Sequence, residues 1–457
     1  MNFFPIATNI VDYLQDSVGL TNGLAMVLAA LIHGSLLVGI FMGTPVVWIW
    51  GERKIAGRIQ DRLGPTRVGG RFGWLQSVAD GIKLIQKEDL VPPAADSMLY
   101  RMAPYMVCVA AFGTMMVLPF GETWVAVASD IGLYVLVAIL SLEVIGIILA
   151  GYSSGSKWSL FGGMREAAQM VSYEIPLSLC AIIPITVAGS LNLVEITQLQ
   201  SGWANNWLIF HDPFVLITFF VYFTVATASC KRAPFDLAEA ESELVGGFHT
   251  EYSGMRWSFF FMGEYAAMFV VCAVAAILFL GGWNSGIAPL DAALLEMRAL
   301  SADGSFQPMS YLSNAIGMGI LISKGWALVF VQVWVRWTLP RLRIDQVMIT
   351  CLKYLIPMSC FLFLGTICFP LVKFYFSAQW EPVMENGKQV EINGEKQWDL
   401  IDSNTSIWAP KADKWAKPNI SAPAEDVETS QLILPNSTPI DDGELADVDR
   451  QVAGGTR

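Results

Sequence analysis

The chain has 457 residues, 54% of them apolar and only 15% charged, with a mean hydropathy of +0.50. Soluble domains are about a quarter charged and just under half apolar, so disorder, a coiled coil and a collagen-like fibre are excluded as the main body. A net charge of −12 and a pI near 4.8 argue against a nucleic-acid partner, which demands basic faces; the composition is that of a polytopic membrane protein, whose helices each need about 20 apolar residues.

Residues 1–16 contain no Lys or Arg. A cleavable signal peptide starts with a basic stretch, so none is expected. Uncharged runs then mark eight transmembrane helices. They cover residues 17–51, 102–121, 131–156, 167–194, 213–230, 257–280, 314–335 and 354–372. The first run is longer than a core of about 30 Å requires, so this helix is tilted or partly interfacial. Strict alternation is missing from these runs, which excludes a porin-type barrel. Single charges interrupt four of them: Glu143, Glu174, Glu264 and Lys324.

Between the first two spans, Leu75, Val78, Ile82 and Ile85 recur at helical spacing after Trp74. Gln76, Asp80, Lys83 and Lys87 take the other faces. This predicts an amphipathic helix, lying in the membrane interface or docked on the bundle surface.

Basic residues orient the spans. The loops after the first, third, fifth and seventh spans hold eighteen Lys and Arg, whereas the opposite side up to the tail holds only Arg298 and Lys373. By the positive-inside rule those four loops are cytoplasmic and both termini lie in the other compartment. Residues 378–457 carry 15 acids against 7 bases. The chain thus divides into a membrane domain, 1–377, and an extramembrane acidic tail, 378–457. Tryptophans recur at Trp380, Trp398, Trp408 and Trp415. Solvating tails are poor in aromatics, so an extended stretch near 380–420 is expected to dock on another surface.

The seven cysteines form no C-x-x-C pair and lie in or beside apolar runs. They read as inert buried thiols, because iron–sulfur and zinc sites need clustered ligands.

Two cytoplasmic loops carry unusual texture. From Gly51 to Gly69, cations alternate with apolar residues among Gly and Pro turns. From Lys231 to Leu244, Asp236, Glu239, Glu241 and Glu243 place four carboxylates within eight residues. Mutual repulsion raises the proton affinity of some members of such a group, although a solvated acidic loop has the same composition. The intramembrane acids point the same way. An ionised carboxylate in an apolar span is costly to desolvate, so it pairs, protonates or lines water. Glu143, Glu174 and Glu264 are therefore proton-path candidates or structural hydrogen-bonded acids, and Lys324 is a candidate partner.

Six ordered motifs resemble a known family. They are Glu52-Arg53-Lys54 with Gln60, Arg62, Gly64-Pro65 and Val68-Gly69; Ala79-Asp80-Gly81-Ile82-Lys83-Leu84 with Lys87-Glu88-Asp89; Gln169-Met170-Val171-Ser172-Tyr173-Glu174; Arg232-Ala233-Pro234-Phe235-Asp236-Leu237-Ala238-Glu239; Phe260-Phe261-Met262-Gly263-Glu264-Tyr265; and Leu339-Pro340-Arg341-Leu342-Arg343-Ile344-Asp345-Gln346. Across about residues 20–375 the chain resembles the quinone-module membrane subunit of respiratory complex I, called the H subunit in bacteria. The resemblance implies an all-α protein with eight spans, set in a bacterial inner membrane. It implies a proton-translocating NADH:quinone oxidoreductase in which this chain, with no complete active site alone, forms part of a quinone tunnel. Quinone is then substrate, and FMN and iron–sulfur clusters belong to partner subunits. Peripheral-arm quinone-module subunits, small membrane-arm subunits and lipid are the implied partners. The family's quinone-portal residues fall on Arg53, Arg62, Asp80, Lys83, Phe261, Met262 and Arg336. Its acidic path falls on Glu174, Asp236, Glu239, Glu241, Glu243, Glu251 and Glu264.

The chain also departs from that family. Thr66 replaces the usual Asn after Gly-Pro, Ser229 stands where some members carry Glu, Glu143 has no placed counterpart, and the tail is not a family feature. The rival readings are a related component of a membrane-bound hydrogenase or of a ferredoxin- or deazaflavin-linked enzyme, an ion-coupled transporter, and a passive anchor. Transporters of that kind often show internal repeats, which this sequence lacks, and the intramembrane acids argue against an anchor.

Overall fold

A computed structural model describes residues 2–3, 21–237, 244–299 and 308–377, with short strand pairs between 380 and 400. Among these residues the architecture is helical. Helix α1 spans Asn22–Ile59, α2 Gln76–Gln86, α3 Ser97–Val117, α4 Gly132–Ser153, α5 Lys157–Ala188, α6 Leu193–Leu199 and α7 Pro213–Ser229. They are followed by α8 Gly254–Phe279, α9 Ala288–Ala299, α10 Pro308–Thr338, α11 Ile344–Ile349 and α12 Ile356–Ser377. A wide π-type turn at Thr350–Leu355 joins α11 to α12. Asn2–Phe3 pairs antiparallel with Val127–Ala128.

Six helices are long and apolar enough to cross a membrane: Asn22–Ile59, Gly132–Ser153, Lys157–Ala188, Gly254–Phe279, Tyr311–Thr338 and the Ile344–Pro370 stretch. The other two expected spans are helical as well. Helix α7 is apolar but only 17 residues long, and α3 has 21 residues with Arg101 inside it. The first helix continues past its expected end at residue 51, so Glu52 and Arg53 are helical rather than part of a loop. Membrane helices continue into the headgroup layer because the backbone satisfies its own hydrogen bonds there as well.

Local chemistry explains several helix ends. Asp96 caps α3 by accepting from the backbone N–H of Met98 at 3.1 Å and of Leu99 at 3.4 Å. Pro213 starts α7, where its missing N–H would have no helical partner. Gly189 ends α5 at φ 73°, a left-handed conformation that glycine adopts cheaply.

Helix α8 forms the centre. Over its most apolar stretch 89% of residues are buried, against 22% for α1. The outer helices face their apolar side chains outward, among them Leu31 on α1, Val109 on α3, Phe161 on α5, Phe220 on α7 and Phe361 on α12. In a bilayer that surface meets solvent of its own polarity. Helix association then relies on close packing rather than on the hydrophobic effect. Small residues supply it: a Cβ on Gly151 of α4 would stand 3.1 Å from the Cα of Gly163 on α5 and 3.0 Å from the carbonyl oxygen of Ser159.

Helix α2 occupies the place where the sequence predicts one, and Val78, Ile82 and Ile85 on its apolar face are exposed. Lys324 corrects an expectation. Among the described residues its ammonium pairs with no intramembrane acid; it donates instead to the carbonyls of Leu280 at 2.6 Å, Gly282 at 3.1 Å and Asn284 at 2.6 Å. The ring of Trp207 lies 4.5 Å away. Helix α8 ends at Phe279, and the carbonyls at and beyond a helix C-terminus are orphaned and negatively polarised. They attract the lysine more effectively than a distant carboxylate does.

Beyond α12, Trp380–Pro382 pairs antiparallel with Trp398–Leu400. The stretch 380–400 therefore doubles back on itself rather than running extended, which lets its backbone groups pair with one another. Trp408 and Trp415 lie outside the described residues.

The α4–α5 crossing yields a test. Gly151→Leu has to displace backbone, and overpacking of this kind costs about 1–3 kcal/mol. We expect a lower thermal midpoint for the detergent-solubilised protein, whereas Gly189→Asn, at an open left-handed position, leaves it nearly unchanged.

Candidate site of buried ion clusters

The most unusual feature of the bundle is charge held inside it. Helix α7 ends at Ser229, and two consecutive cations, Lys231 and Arg232, follow. Both turn inward. The Lys231 side chain is 10% exposed and that of Arg232 3%.

Arg232 joins three elements. One guanidinium nitrogen is 3.5 Å from Glu52 of α1 and its Nε is 3.1 Å from Glu264 of α8. Arg336 of α10 donates to the other oxygen of Glu52 at 2.6 Å. Tyr265 donates its hydroxyl to Glu52 at 2.5 Å, and its ring stacks under Arg232 at 4.3 Å. Two carboxylates thus meet two guanidiniums, and this cluster is neutral when fully ionised. Buried charges persist only with such pairing.

Lys231 makes a second cluster. Its ammonium lies 2.7 Å from Glu143 of α4 and 2.8 Å from Glu166 of α5. Burial pulls the lysine's pKa down, but the two carboxylates outweigh it and hold the group above the ordinary lysine value. Lys231 is therefore charged at any physiological pH.

The quinone-portal candidates divide between two places. Arg53 and Asp80 form an ion pair, with Lys83 3.8 Å from the same carboxylate and Gln76 donating to it at 3.4 Å. This group lies on the outer side, where α1 meets α2. Glu52 and Arg53 are consecutive, so one faces the interior and the other the surface. Arg62 is exposed, in a loop fastened by Trp50, which donates to the Phe72 carbonyl at 3.0 Å. Gly73 belongs to this loop at φ 63°, and a Cβ there would run into the carbonyl of Pro65. Phe261 and Met262 are half-buried on α8, with Phe261 4.1 Å from Trp257 and 5.7 Å from His249 between ring centres. Arg336 belongs to the buried cluster rather than to the surface group.

The acidic candidates are spread more widely. Glu264 lies in the Arg232 cluster. Asp236 stands 3.9 Å from Arg341, and the adjoining Pro234 carbonyl accepts from the Leu342 N–H at 3.0 Å. Glu174 is half-buried on α5, with no ion pair among the described residues. Beside it the Tyr173 hydroxyl donates to the Val347 carbonyl at 2.9 Å. The carbonyl of Glu251 accepts from Tyr100 at 2.7 Å. Glu239, Glu241 and Glu243 lie outside the described residues.

Sequence reasoning missed Glu52, Glu166, Lys231 and Arg232 as site residues, and left Glu143 without a role. A usable signal existed: two adjacent cations close a 17-residue helix that has no charge of its own. Adjacent cations at a membrane helix end usually snorkel to the interface, so their inward turn needed the fold.

The profile of the NADH dehydrogenase family matches residues 32–367. The chain belongs to that family. Its relatives include the H subunit of the NADH-quinone oxidoreductase of Chlorobium luteolum, 43% identical over 335 residues, which cover 73% of this chain and 83% of that protein. The H subunit of Bacteroides thetaiotaomicron is 38% identical over 375 residues, 82% of this chain and 99% of its own length. That of Anaeromyxobacter dehalogenans is 40% identical over 325 residues, covering 71% and 78%. These relatives are components of a multi-subunit oxidoreductase, and one component of that kind lacks a full active site. Kinship and six apolar helices together make this family member a multi-pass membrane protein.

The buried cluster makes its own prediction. Arg232→Met leaves two buried carboxylates facing one guanidinium, and breaking a buried pair costs about 3–5 kcal/mol. Thermal unfolding should show that loss. The double variant Arg232→Met/Glu264→Gln restores neutrality and should recover a measurable part of it.

Proposed function

We propose that the chain is the membrane-arm H subunit of a proton-translocating NADH:quinone oxidoreductase. In this reading it forms part of the quinone tunnel and passes protons in step with quinone reduction. The observation that carries the reading is the buried Glu52–Arg232–Glu264–Arg336 cluster, which adjoins the surface Arg53–Asp80–Lys83 group through the consecutive residues Glu52 and Arg53.

Quinone is the substrate. Its isoprenoid tail needs an apolar way in and its carbonyl oxygens need donors. The exposed apolar face of α2, with Phe261 and Met262 of α8, supplies apolar walls; Arg53 and Lys83 supply cations at Asp80, Arg336 one in the buried cluster and Arg62 one in the following loop. Reduction draws two protons onto the quinone for each electron pair. A change of charge at the headgroup then acts on Arg336 and Glu52, and through Arg232 on Glu264. Glu174, Glu264, Asp236, Glu239, Glu241, Glu243 and Glu251 carry protons from there. Arginine stays ionised at any working pH, so its part is to hold carboxylates and polarise them.

Eight spans complete the reading, with α3 and α7 crossing beside the six longest apolar helices, and α2 lying in the cytoplasmic interface. The basic loops face the cytoplasm of a bacterial cell and both termini the periplasm. Residues 1–377 form the membrane domain, and the tail 378–457 lies against neighbouring subunits. FMN and iron–sulfur clusters sit in the peripheral-arm partners, which deliver the electrons.

Two variants test this reading in the assembled complex. Arg53→Ala should lower NADH:quinone reductase activity several-fold while NADH oxidation by an artificial electron acceptor stays intact; equal loss of both would indicate failed assembly instead. Glu264→Gln keeps size and hydrogen bonding but removes the exchangeable proton, so proton pumping into sealed vesicles should fall. Normal pumping yield and rate would make Glu264 structural.

A further inference from the structure

Helix α10 carries a buried polar side chain that nothing in the bundle uses. Gln332 is 0% exposed, and neither its amide oxygen nor its amide nitrogen has a hydrogen-bond partner among the described residues. Gly325, Val329 and Val333 are buried on the same side of the helix, and Arg336 follows one turn later. Buried amides are almost always paired, because burial strips away the water that satisfied them. A Leu or Met would fill this place without that cost.

Helical spacing aims the amide. With about 100° per residue, Gln332 leaves α10 about 20° from the direction of Gly325 and about 40° from that of Arg336. Gly325 faces α8, since a Cβ there would stand 3.1 Å from the ring of Phe269. Arg336 faces α1, where it meets Glu52. Gln332 therefore sits where α10 meets α8 and α1, one turn inside the Arg336–Glu52 pair. Helices α1 and α10 run in the same direction: Glu52 meets Arg336, and the earlier Trp48 meets the earlier Trp326 with 6.2 Å between ring centres. Trp48 stands one turn before Glu52, and its indole N–H is also buried with no hydrogen-bond partner among the described residues. Two helices thus each hold an unpaired polar group one turn inside the same ion pair.

Size selects the ligand. No surface of Gln332 is open, so neither a partner subunit nor a lipid nor a quinone headgroup reaches it. Water is small enough to lie inside, provided that it finds roughly two to four polar partners. Four residues of helix rise about 6 Å, and two hydrogen bonds through one water oxygen span about 5.5 Å. The amide oxygen, the amide N–H groups, the indole N–H and the Glu52 carboxylate offer both acceptors and donors.

We propose that Gln332 holds an ordered internal water molecule that bridges its amide to the Glu52–Arg336 pair. The water accepts from the amide nitrogen and donates to a Glu52 oxygen, so a group that is idle within the protein becomes part of the cluster. It adds a neutral, movable ligand to a set of fixed charges. The site concerns only what solvates the cluster and stands apart from the proton-coupled reading.

The test uses the assembled complex. A density map that resolves ordered water should show a solvent peak within hydrogen-bond distance of the Gln332 amide and of Glu52 or Arg336. An amide with no solvent peak beside it overturns the proposal. Gln332→Met nearly conserves volume. It should abolish the peak and lower the thermal midpoint by a few degrees, because the bonds of the water to the ion pair go with it. A dry amide demands the opposite sign: Met then removes an unsatisfied group and the midpoint rises. An unchanged or raised midpoint therefore overturns the proposal as well. Should Gln332→Met fail to assemble, the map of the parent complex decides the question.

Discussion

Carboxylates do not survive in a bilayer without cations, and the bundle is arranged around that requirement. Glu52, Glu143, Glu166 and Glu264 come from four helices and all sit at 8% side-chain exposure or less. Lys231 and Arg232 meet all four from a single short turn after α7. Glu52 has further help from Arg336 and the Tyr265 hydroxyl. The position of α7 relative to α1, α4, α5 and α8 is therefore tied to electrostatics. Two clusters of different character result: one holds two carboxylates and two guanidiniums, and the other two carboxylates and one ammonium. Arginine suits the first because its planar fork engages two acids at once, and lysine suits the second because its compact ammonium lies almost equally near both.

Packing makes this arrangement possible. Apolar helices gain nothing by hiding from lipid, so their contact depends on shape. The Gly151–Gly163 approach draws α4 against α5, which brings Glu143 and Glu166 to the same ammonium. Helix α8 is buried on nearly every side, so Glu264 and Tyr265 meet charge inside the cluster rather than open water. At the other end of α8 the same principle recurs in neutral form. Lys324 satisfies three carbonyls past the helix end, and a charge within a span becomes a structural fastening.

The helices were largely legible in the sequence because charge avoidance in lipid writes itself into the chain as uncharged runs. Each of the eight runs contains a helix. The ends were less legible: α1 and the segment that begins with α11 extend well beyond their uncharged runs, since hydrogen bonding and not hydropathy decides where a helix stops. The portal candidates Arg53, Asp80 and Lys83 were picked from their motifs, and they stand together in space. The clusters were not found. Glu52 looked like part of a basic loop, and Glu166 fell one residue outside its expected span. Lys231 and Arg232 looked like the positive charges that mark a cytoplasmic loop. A position along the chain records whether a residue is near the membrane, but not which way its side chain turns, and only the turn separates an interfacial anchor from a buried counter-ion. Lys324 was misread for a related reason: hydropathy counts side-chain charges and is blind to the carbonyl dipoles at helix ends, which supplied its actual partners.

Lys231 and Arg232 are consecutive, yet their side chains run to different helices. Arg232 reaches toward α1, α8 and α10, where Glu52 and Arg336 lie, and Lys231 reaches toward α4 and α5. The cluster around Arg232 resists displacement because any motion separates paired ions in a medium of low dielectric. The same holds for Lys231 between Glu143 and Glu166. One turn after α7 thus fastens carboxylates from four helices, and the loss of either cation strands buried acids on two of them.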